Sequence, residues 1–536
     1  MPSLAKIRPL LITISLVVVG IFLPFPYNFS MIIISPLPVI LWYILIVLRR
    51  KGITAVVDED MLYLVTHMYG VSTGRPPHEK LFNLYNVSGT TYKTYTHILA
   101  RISNLAKRWG YGFVNAVKHQ AKYVTNVVFK DFLLRLSEAI NVGEDLELFL
   151  QMEQDTLTAT YEADYTRVLE AIKILLGIYT AAMSSSIFIN VNLILLSMLF
   201  LGDIQIVVIS FIASVIMLGL LVLLIRKSLP KQDIVHDMPI NLRERKMYRY
   251  LLTISIALSI ALGTYIYYVF RKECYVLIAT GLCLLLPGFI GRKIENKVKN
   301  IENFFAVFIR SLGLAYTSLR NYVASLRSIL RTEFGELTKP IQRLYARLRN
   351  GVDRKIAMYY FIGETGSEAV RKGMDIFYDS VEAGGDPAKV GQMISILTQR
   401  LVNLRKQREQ IARAFQGTIY VLHVLMVALT EFVFTLVIIL HELISTMSGT
   451  PYQILPVTIL PLDMLMFVKI GLIFIITPLN AFAMQFARGG FVGAAWLHTS
   501  ILLILSGATL LISSTFSQSI FAVLNIEDIM VAVGPG

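Results

Sequence analysis

Apolar runs of 18 or more residues recur along the chain and alternate with two charged blocks of helical period. A bilayer core takes about 20 apolar residues of helix. Nine runs qualify: 9–27, 31–48, 174–200, 204–225, 250–270, 274–290, 418–442, 464–486 and 497–515. In the first run Lys6 and Arg8 precede the apolar stretch, as in a secretory signal. Pro24, Pro26 and Asn28 turn it straight into the second run with no small-residue cleavage site, so it reads as a retained hairpin. Within the blocks, Leu62, Val65, Met68 and Tyr69 follow the acidic opening Asp58-Glu59-Asp60, and Gly74-Arg75-Pro76-Pro77 stops that helix. Ile98, Leu99, Ile102 and Leu105 mark another amphipathic helix, as do Phe132, Leu133, Leu136 and Ile140. Phe304, Phe305, Phe308 and Leu312, then Val323, Leu326, Ile329 and Leu330, repeat the style. Strand alternation is absent. The pattern predicts an all-α, polytopic helical membrane protein with about nine transmembrane helices and two cytoplasmic helical bundles.

The elements come twice. A hairpin, a cytoplasmic block and a second hairpin are followed by the same series and one last span. Met61-Leu62-Tyr63 faces Phe304-Phe305-Ala306, and Glu138-Ala139 faces Glu382-Ala383. The division is 1–48 (hairpin), 49–173 (first block), 174–225 (hairpin), 226–249 (basic linker), 250–290 (hairpin), 291–417 (second block), 418–486 (hairpin) and 487–536 (last span and tail). Each unit has an even number of spans, so the copies lie the same way up, unlike the inverted repeats of many transporters.

Composition sharpens this. The chain is 55% hydrophobic and 16% charged, with mean hydropathy +0.62, which excludes an ordinary soluble enzyme or a disordered chain. With the amino terminus inside, 47 of 50 lysines and arginines fall on cytoplasmic segments; Arg271, Lys272 and Lys469 are the exceptions. The positive-inside rule therefore predicts a multi-pass cell-membrane protein with its amino terminus in the cytoplasm and its carboxyl terminus outside. The net charge of +14 is then a topology signal and an attraction to anionic membrane lipids, not a mark of nucleic-acid binding. Cys274 and Cys283 lie on opposite faces of one span and serve as apolar filler.

Each block ends in a helix–turn–helix before the chain re-enters the membrane. The first turn contains Glu138, Gly143, Glu144 and Asp145; the second contains Glu382, Gly385 and Asp386, with Pro387 next. Glycine lets the first helix end in left-handed backbone, an acid caps the next, and proline suits its first turn. These residues read as capping chemistry or as a domain signature. From each turn a long helical pattern runs on into a span, so movement in the block would reach the membrane.

The two-copy layout, the topology and the Gly143-Glu144-Asp145-Leu146 turn resemble the F-domain family of type II secretion, type IV pilus and archaellum platform proteins, over essentially the whole chain. The second turn matches less closely, and the hairpin before each block is more like the archaeal members. The resemblance implies an integral membrane platform of a type IV filament machine, such as an archaellum or type IV pilus. A hexameric secretion or archaellum-type ATPase would dock on F-type blocks, pilin-like subunits would assemble beside it, and the platform would work as a homo-oligomer, a dimer.

Chemistry within the chain is sparse. No phosphate loop, Gly-x-Ser-x-Gly or His-Glu-x-x-His occurs, so no enzyme activity and no cofactor or metal is expected. The second block, with 22 basic and 12 acidic residues, concentrates charge on Lys339, Arg343, Arg347, Arg349, Arg354 and Lys355. These form a dock for an acidic partner, a solvated face, or a contact with anionic lipid. Glu431 and Lys469 lie within spans at nearly the same depth and are placed to form a structural ion pair, a subunit contact or, least in keeping with a missing relay, a proton path. By the resemblance, Lys469 would meet an acidic residue of a pilin-like helix. The alternative from another class is a membrane transporter with regulatory cytoplasmic domains; a passive scaffold is a third.

Overall fold

A computed structural model describes residues 58–89, 92, 94–197, 204–230, 234–236, 238, 243–447 and 462–523. The spans expected at 9–27 and 31–48, and the tail beyond the last helix, lie outside the described residues. No strand occurs among those described, only an isolated bridge between Val235 and Ser367. Among the described residues seven helices are long and apolar enough to cross a bilayer, and the chain is an all-α polytopic membrane protein.

Five short helices come first: α1 (Glu59–Ser72), α2 (His78–Phe82), α3 (Thr94–Lys107), α4 (Gly112–Ala121) and α5 (Val127–Val142). Next are α6 (Leu146–Leu196), α7 (Ile204–Ser228), α8 (Arg243–Phe270) and α9 (Glu273–Leu319). A second short series is α10 (Tyr322–Ile329), α11 (Thr338–Arg349), α12 (Arg354–Thr365) and α13 (Glu368–Glu382). The chain continues through α14 (Pro387–Met447), α15 (Leu462–Arg488) and α16 (Ala495–Val523). The spanning helices are α6 to α9 and α14 to α16. The order α1 to α7 is repeated by the second half of α9 through α15, and α16 is additional.

Three helices run unbroken from the apolar bundle into the polar one: α6 with 51 residues, α9 with 47 and α14 with 61. The long α6 and α14 follow from patterns with no breaker. The continuity of α9 was not expected, because the charged stretch after residue 290 reads as the start of a new unit. No cap residue separates the two halves, and Pro287 sits inside the helix without ending it.

The glycines of α9 explain its central place. A Cβ on Gly281 would lie 3.0 Å from Ser500 O, one on Gly288 2.4 Å from Leu497 N, and one on Gly291 2.8 Å from Gly493 O. Gly507 of α16 returns the contact, with Cys274 O at 2.7 Å from its Cβ position. Gly281 and Gly288 are seven residues apart and Gly291 follows three later on the same side, so backbone approaches backbone along the crossing, the small-residue packing typical of membrane helices. Farther along, Gly313 of α9 meets Gly391 and Pro387 of α14 in the same way.

One apolar core holds the short helices of both series, from Met61 to Leu404, and a second lies among the spanning segments. The two extramembrane series therefore share a single core. Gly288→Val should lower the thermal midpoint in detergent sharply, by about 2–4 kcal/mol of stability, through overpacking against backbone. Gly177→Ala on α6, where a Cβ meets nothing within 4 Å, should be neutral or stabilising.

Candidate functional site

The polar groups that join the two series form a clasp around α1. Every residue of α1 from Asp60 to Ser72 is buried. Asp58 caps it, accepting from the Met61 N–H at 2.7 Å. Asp60 receives Lys372 Nζ of α13 at 2.7 Å, with both side chains about nine-tenths buried. Glu59 and Glu302, which are equivalent positions on α1 and α9, share Arg405 of α14 at 3.4 and 2.6 Å. Ser367 also donates to Glu302 at 2.7 Å.

The centre of the clasp is Asp379 on α13. Lys80 Nζ donates to it at 2.6 Å and the Tyr85 N–H at 2.9 Å, while His67 Nε2 lies 3.0 Å away. The other ring nitrogen of His67 is 2.8 Å from Tyr92 OH. One turn earlier, Asp375 accepts from the Ser88 N–H at 3.0 Å and from the Ser88 hydroxyl. These two carboxylates are shifted in opposite directions. Burial pushes the Asp375 carboxyl up to about 6, and the Ser88 hydrogen bonds only partly oppose it. Burial also raises Asp379, but hydrogen bonds from His67, Lys80 and Tyr85 outweigh it and hold that carboxyl below its ordinary range.

The sequence reading singled out none of these clasp residues for function. Asp375 and Asp379 sit four apart on the buried face of an amphipathic helix, which was the available signal.

The residues that the sequence did single out are distributed as follows. Arg343 and Arg347 both turn to Glu364, Arg354 reaches Glu382 at 3.3 Å, and Lys355 lies over the Tyr85 ring at 4.8 Å. Lys339 and Arg349 are exposed on α11. At the first turn Gly143 is left-handed and Asp145 caps α6, accepting from the Glu147 N–H at 2.9 Å; Glu138 is 3.4 Å from Lys118 and Glu144 is exposed. At the second turn the left-handed residue is Gly384, and Asp386 accepts from the Ala388 N–H at 2.9 Å. Gly385 lies against Gly70 of α1 and Thr73 just past its end. The turns thus superpose as Gly143 on Gly384 and Asp145 on Asp386, a shift from the alignment that the sequence suggested.

Within the membrane bundle, Lys469 Nζ lies 3.0 Å from Glu431 Oε2 and 3.1 Å from Glu273 Oε2, all three buried or nearly so. Glu273 was missed because it adjoins Arg271 and Lys272 and reads as loop. Deeper in, His423 is buried between Ser506 Oγ at 2.8 Å and the Asn480 side-chain nitrogen at 3.2 Å, and Tyr179 OH donates to Asn480 at 2.6 Å. At the base of the bundle, Glu295 receives Lys299 at 2.5 Å, and Arg408 donates to the last carbonyls of α15, Phe486 and Ala487, at 2.8 and 3.0 Å. Linker residue Arg226 stacks over Phe486, while Lys231 lies outside the described residues.

The architecture is that of a polytopic α-helical membrane protein whose extramembrane bundle is built on its own spanning helices. Over 328 residues, 59% of the chain, it is 30% identical to Flagella accessory protein J of Methanocaldococcus jannaschii, covering 58% of that protein. Over 333 residues it is 26% identical to Flagella accessory protein J of Methanococcus voltae, covering 60% of each chain. The match therefore spans about three-fifths of the length of these relatives. No protein-family model matches the chain, and no solved structure does. Over that stretch the chain is similar to proteins named Flagella accessory protein J, in agreement with the archaellum branch of the resemblance.

Two predictions follow from the charges. In urea unfolding of the lipid-embedded protein at pH 7, Asp379→Asn should cost about 3–5 kcal/mol by stranding Lys80 and His67. The contribution of Asp379 is lost as pH falls through its lowered value. Asp375 works in the opposite sense: its raised value means that stability falls as pH rises from about 4 to about 6, and Asp375→Asn should flatten that limb. In the membrane triad one ammonium faces two carboxylates. Lys469→Met should be severely destabilising, by about 3–5 kcal/mol, whereas Glu431→Gln should cost far less because Glu273 still pairs the lysine; thermal midpoints in detergent distinguish the two.

Proposed function

We propose that the protein is the platform of an archaellum-type or related type IV filament machine, with its bundle and amino terminus in the cytoplasm and its carboxyl terminus outside. A cytoplasmic secretion-type ATPase would act on the bundle, and pilin-like subunits would assemble at the membrane part. On this reading the chain is no enzyme and takes its energy from the partner. The continuity of α6, α9 and α14 carries the proposal, supported by the relatives: a displacement of the bundle is transmitted along three rods with no hinge between.

The shared core refines how the motor would act. The 49–173 and 291–417 blocks of the proposed division would move together, as one body and not as two arms. On α11 the dock reduces to Lys339, Arg349 and the exposed part of Arg343, since Arg347 is committed to Glu364. A subunit carboxylate seeking Lys469 would have to displace Glu273 or Glu431 from it. The transporter alternative needs room for a solute; one cavity among the described spanning helices, bounded by Met183, Asn190, Thr430 and Ile476, is about 10 Å³, space for about one water, while an open hollow of about 570 Å³ lies beside Gly263, Tyr267, Tyr268 and Arg271.

The test is binding of the full chain in lipid nanodiscs to the secretion-type ATPase encoded with it. Lys339→Glu with Arg349→Glu should weaken binding about tenfold at low salt and remove stimulation of ATP hydrolysis. Unchanged binding would move the dock off α11, and an ATPase that never binds the wild-type chain would sink the coupled-motor reading.

A further inference from the structure

The hairpin of α8 and α9 sets its charges at a definite depth. The apolar part of α8, residues 250–270, makes about 30 Å of helix at 1.5 Å per residue, the thickness of a bilayer core. Arg249 therefore marks one face of the bilayer, and Arg271 and Lys272, the two-residue turn into α9, mark the other. Aromatic rings surround that turn. Tyr268 is 84% exposed, Tyr265 and Tyr267 are exposed with it, and the Phe270 and Tyr275 rings meet edge to face with centroids 5.6 Å apart. Such rings belong at the level of the lipid headgroups.

The two cations of the turn lack a counter-charge from the protein. Glu273 is the only carboxylate between residues 250 and 294, and it turns to Lys469 at 3.1 Å. Glu431 faces the same lysine. Among the described residues Arg271 and Lys272 form no ion pair, and both are exposed.

The open hollow of about 570 Å³ adjoins them. Gly263, Thr264, Tyr267, Tyr268 and Arg271 line it from α8 and its end, and Val276 lines it from α9. Its polarity is graded. Arg271 and the two tyrosines lie toward the bilayer face, whereas Gly263 is about 12 Å deeper along α8. Thr264 gives its hydroxyl to the carbonyls of Ile260 and Ala261, at 3.0 and 2.9 Å, so the deeper wall is apolar. Among the described residues α8 packs chiefly on α9 and is the least buried of the spanning helices, which leaves this flank open to lipid.

We propose that this hollow is a binding site for one anionic phospholipid. The Arg271 guanidinium holds the headgroup phosphate through paired N–H donors, Lys272 adds charge, and the hydroxyls of Tyr267 and Tyr268 donate to the remaining oxygens. An acyl chain follows α8 past Gly263. Depth favours a lipid over a soluble phosphate ester, because the cations open onto the headgroup layer and the wall below them is apolar. The proposal depends neither on the motor reading nor on which membrane face is outside.

The test is native mass spectrometry of the full chain, titrated in detergent micelles with a phosphatidylglycerol or with a phosphatidylcholine of the same chains. Saturable retention of phosphatidylglycerol, about tenfold tighter than phosphatidylcholine, is expected. Arg271→Gly with Lys272→Asn should weaken that retention about tenfold or more. The thermal midpoint in lipid-free detergent should not fall, because glycine suits the left-handed backbone of Arg271 (φ 50°) and asparagine suits the cap position of Lys272. Lys246→Gln with Arg249→Gln, at the opposite bilayer face, should leave retention unchanged. Equal retention of the two lipids would reduce the hollow to ordinary lipid contact and overturn the site. Loss of retention in the opposite-face variant but not in the Arg271 variant would overturn it too, as would no retention at all. Displacement by glycerol 3-phosphate would overturn the lipid assignment in favour of a soluble phosphate ester.

Discussion

Everything in this molecule hangs on the backbone-to-backbone contacts of α9. In a bilayer, lipid tails offer apolar side chains as good an environment as another helix does, so association depends on close packing. Gly281 and Gly288 supply it against α16, Gly291 against the turn just before it, and Gly313 against Gly391 on α14. Because both sets lie on one helix, the position of the membrane bundle fixes the position of the extramembrane bundle. A loop between them would have left the two free to pivot; an unbroken α9 does not.

The clasp extends that constraint to the first series of short helices. A helix as completely buried as α1 would ordinarily be apolar, yet it carries Asp60 and His67, and its neighbours bring Lys372, Asp379 and Arg405. Buried charge is poor evidence for stability in itself, since desolvation offsets much of the attraction. It does discriminate among alternative packings: a slip of α1 by one turn would strand two carboxylates and two cations in an apolar core. The polar contacts therefore set the register, and the apolar core supplies the driving force.

The seven described spans, the long helices after each turn and the capping acids were legible because each is local. Lipid demands an uninterrupted apolar run, and Asp145 and Asp386 act on N–H groups two residues away. The clasp was not legible, because His67 and Asp379 are 312 residues apart and nothing in either segment names the other. The basic helix α11 was legible only in part. Its arginines look uncommitted in sequence, but Glu364 is folded back beneath two of them. Glu273 was hidden by its neighbours: beside Arg271 and Lys272 it looks like loop charge, whereas as the first residue of α9 it turns inward to Lys469.

The repeat itself argues that equivalence in sequence need not mean equivalence in environment. Met152 and Met393 hold corresponding places after corresponding turns, and one is exposed while the other is covered. The difference arises because α1, besides packing on its own α6, also packs on the α13–α14 turn, while its counterpart, the second half of α9, packs chiefly on its own α14. The contact between the copies is thus heterologous: the surface used by one is not the surface used by the other. Heterologous contacts never satisfy both partners within a pair, and they leave one acceptor unfilled. In a protein with only two copies in the chain, that unfilled acceptor is a structural consequence of how the repeat was joined. Among the described residues, Val142 and Met152 at that turn stay exposed.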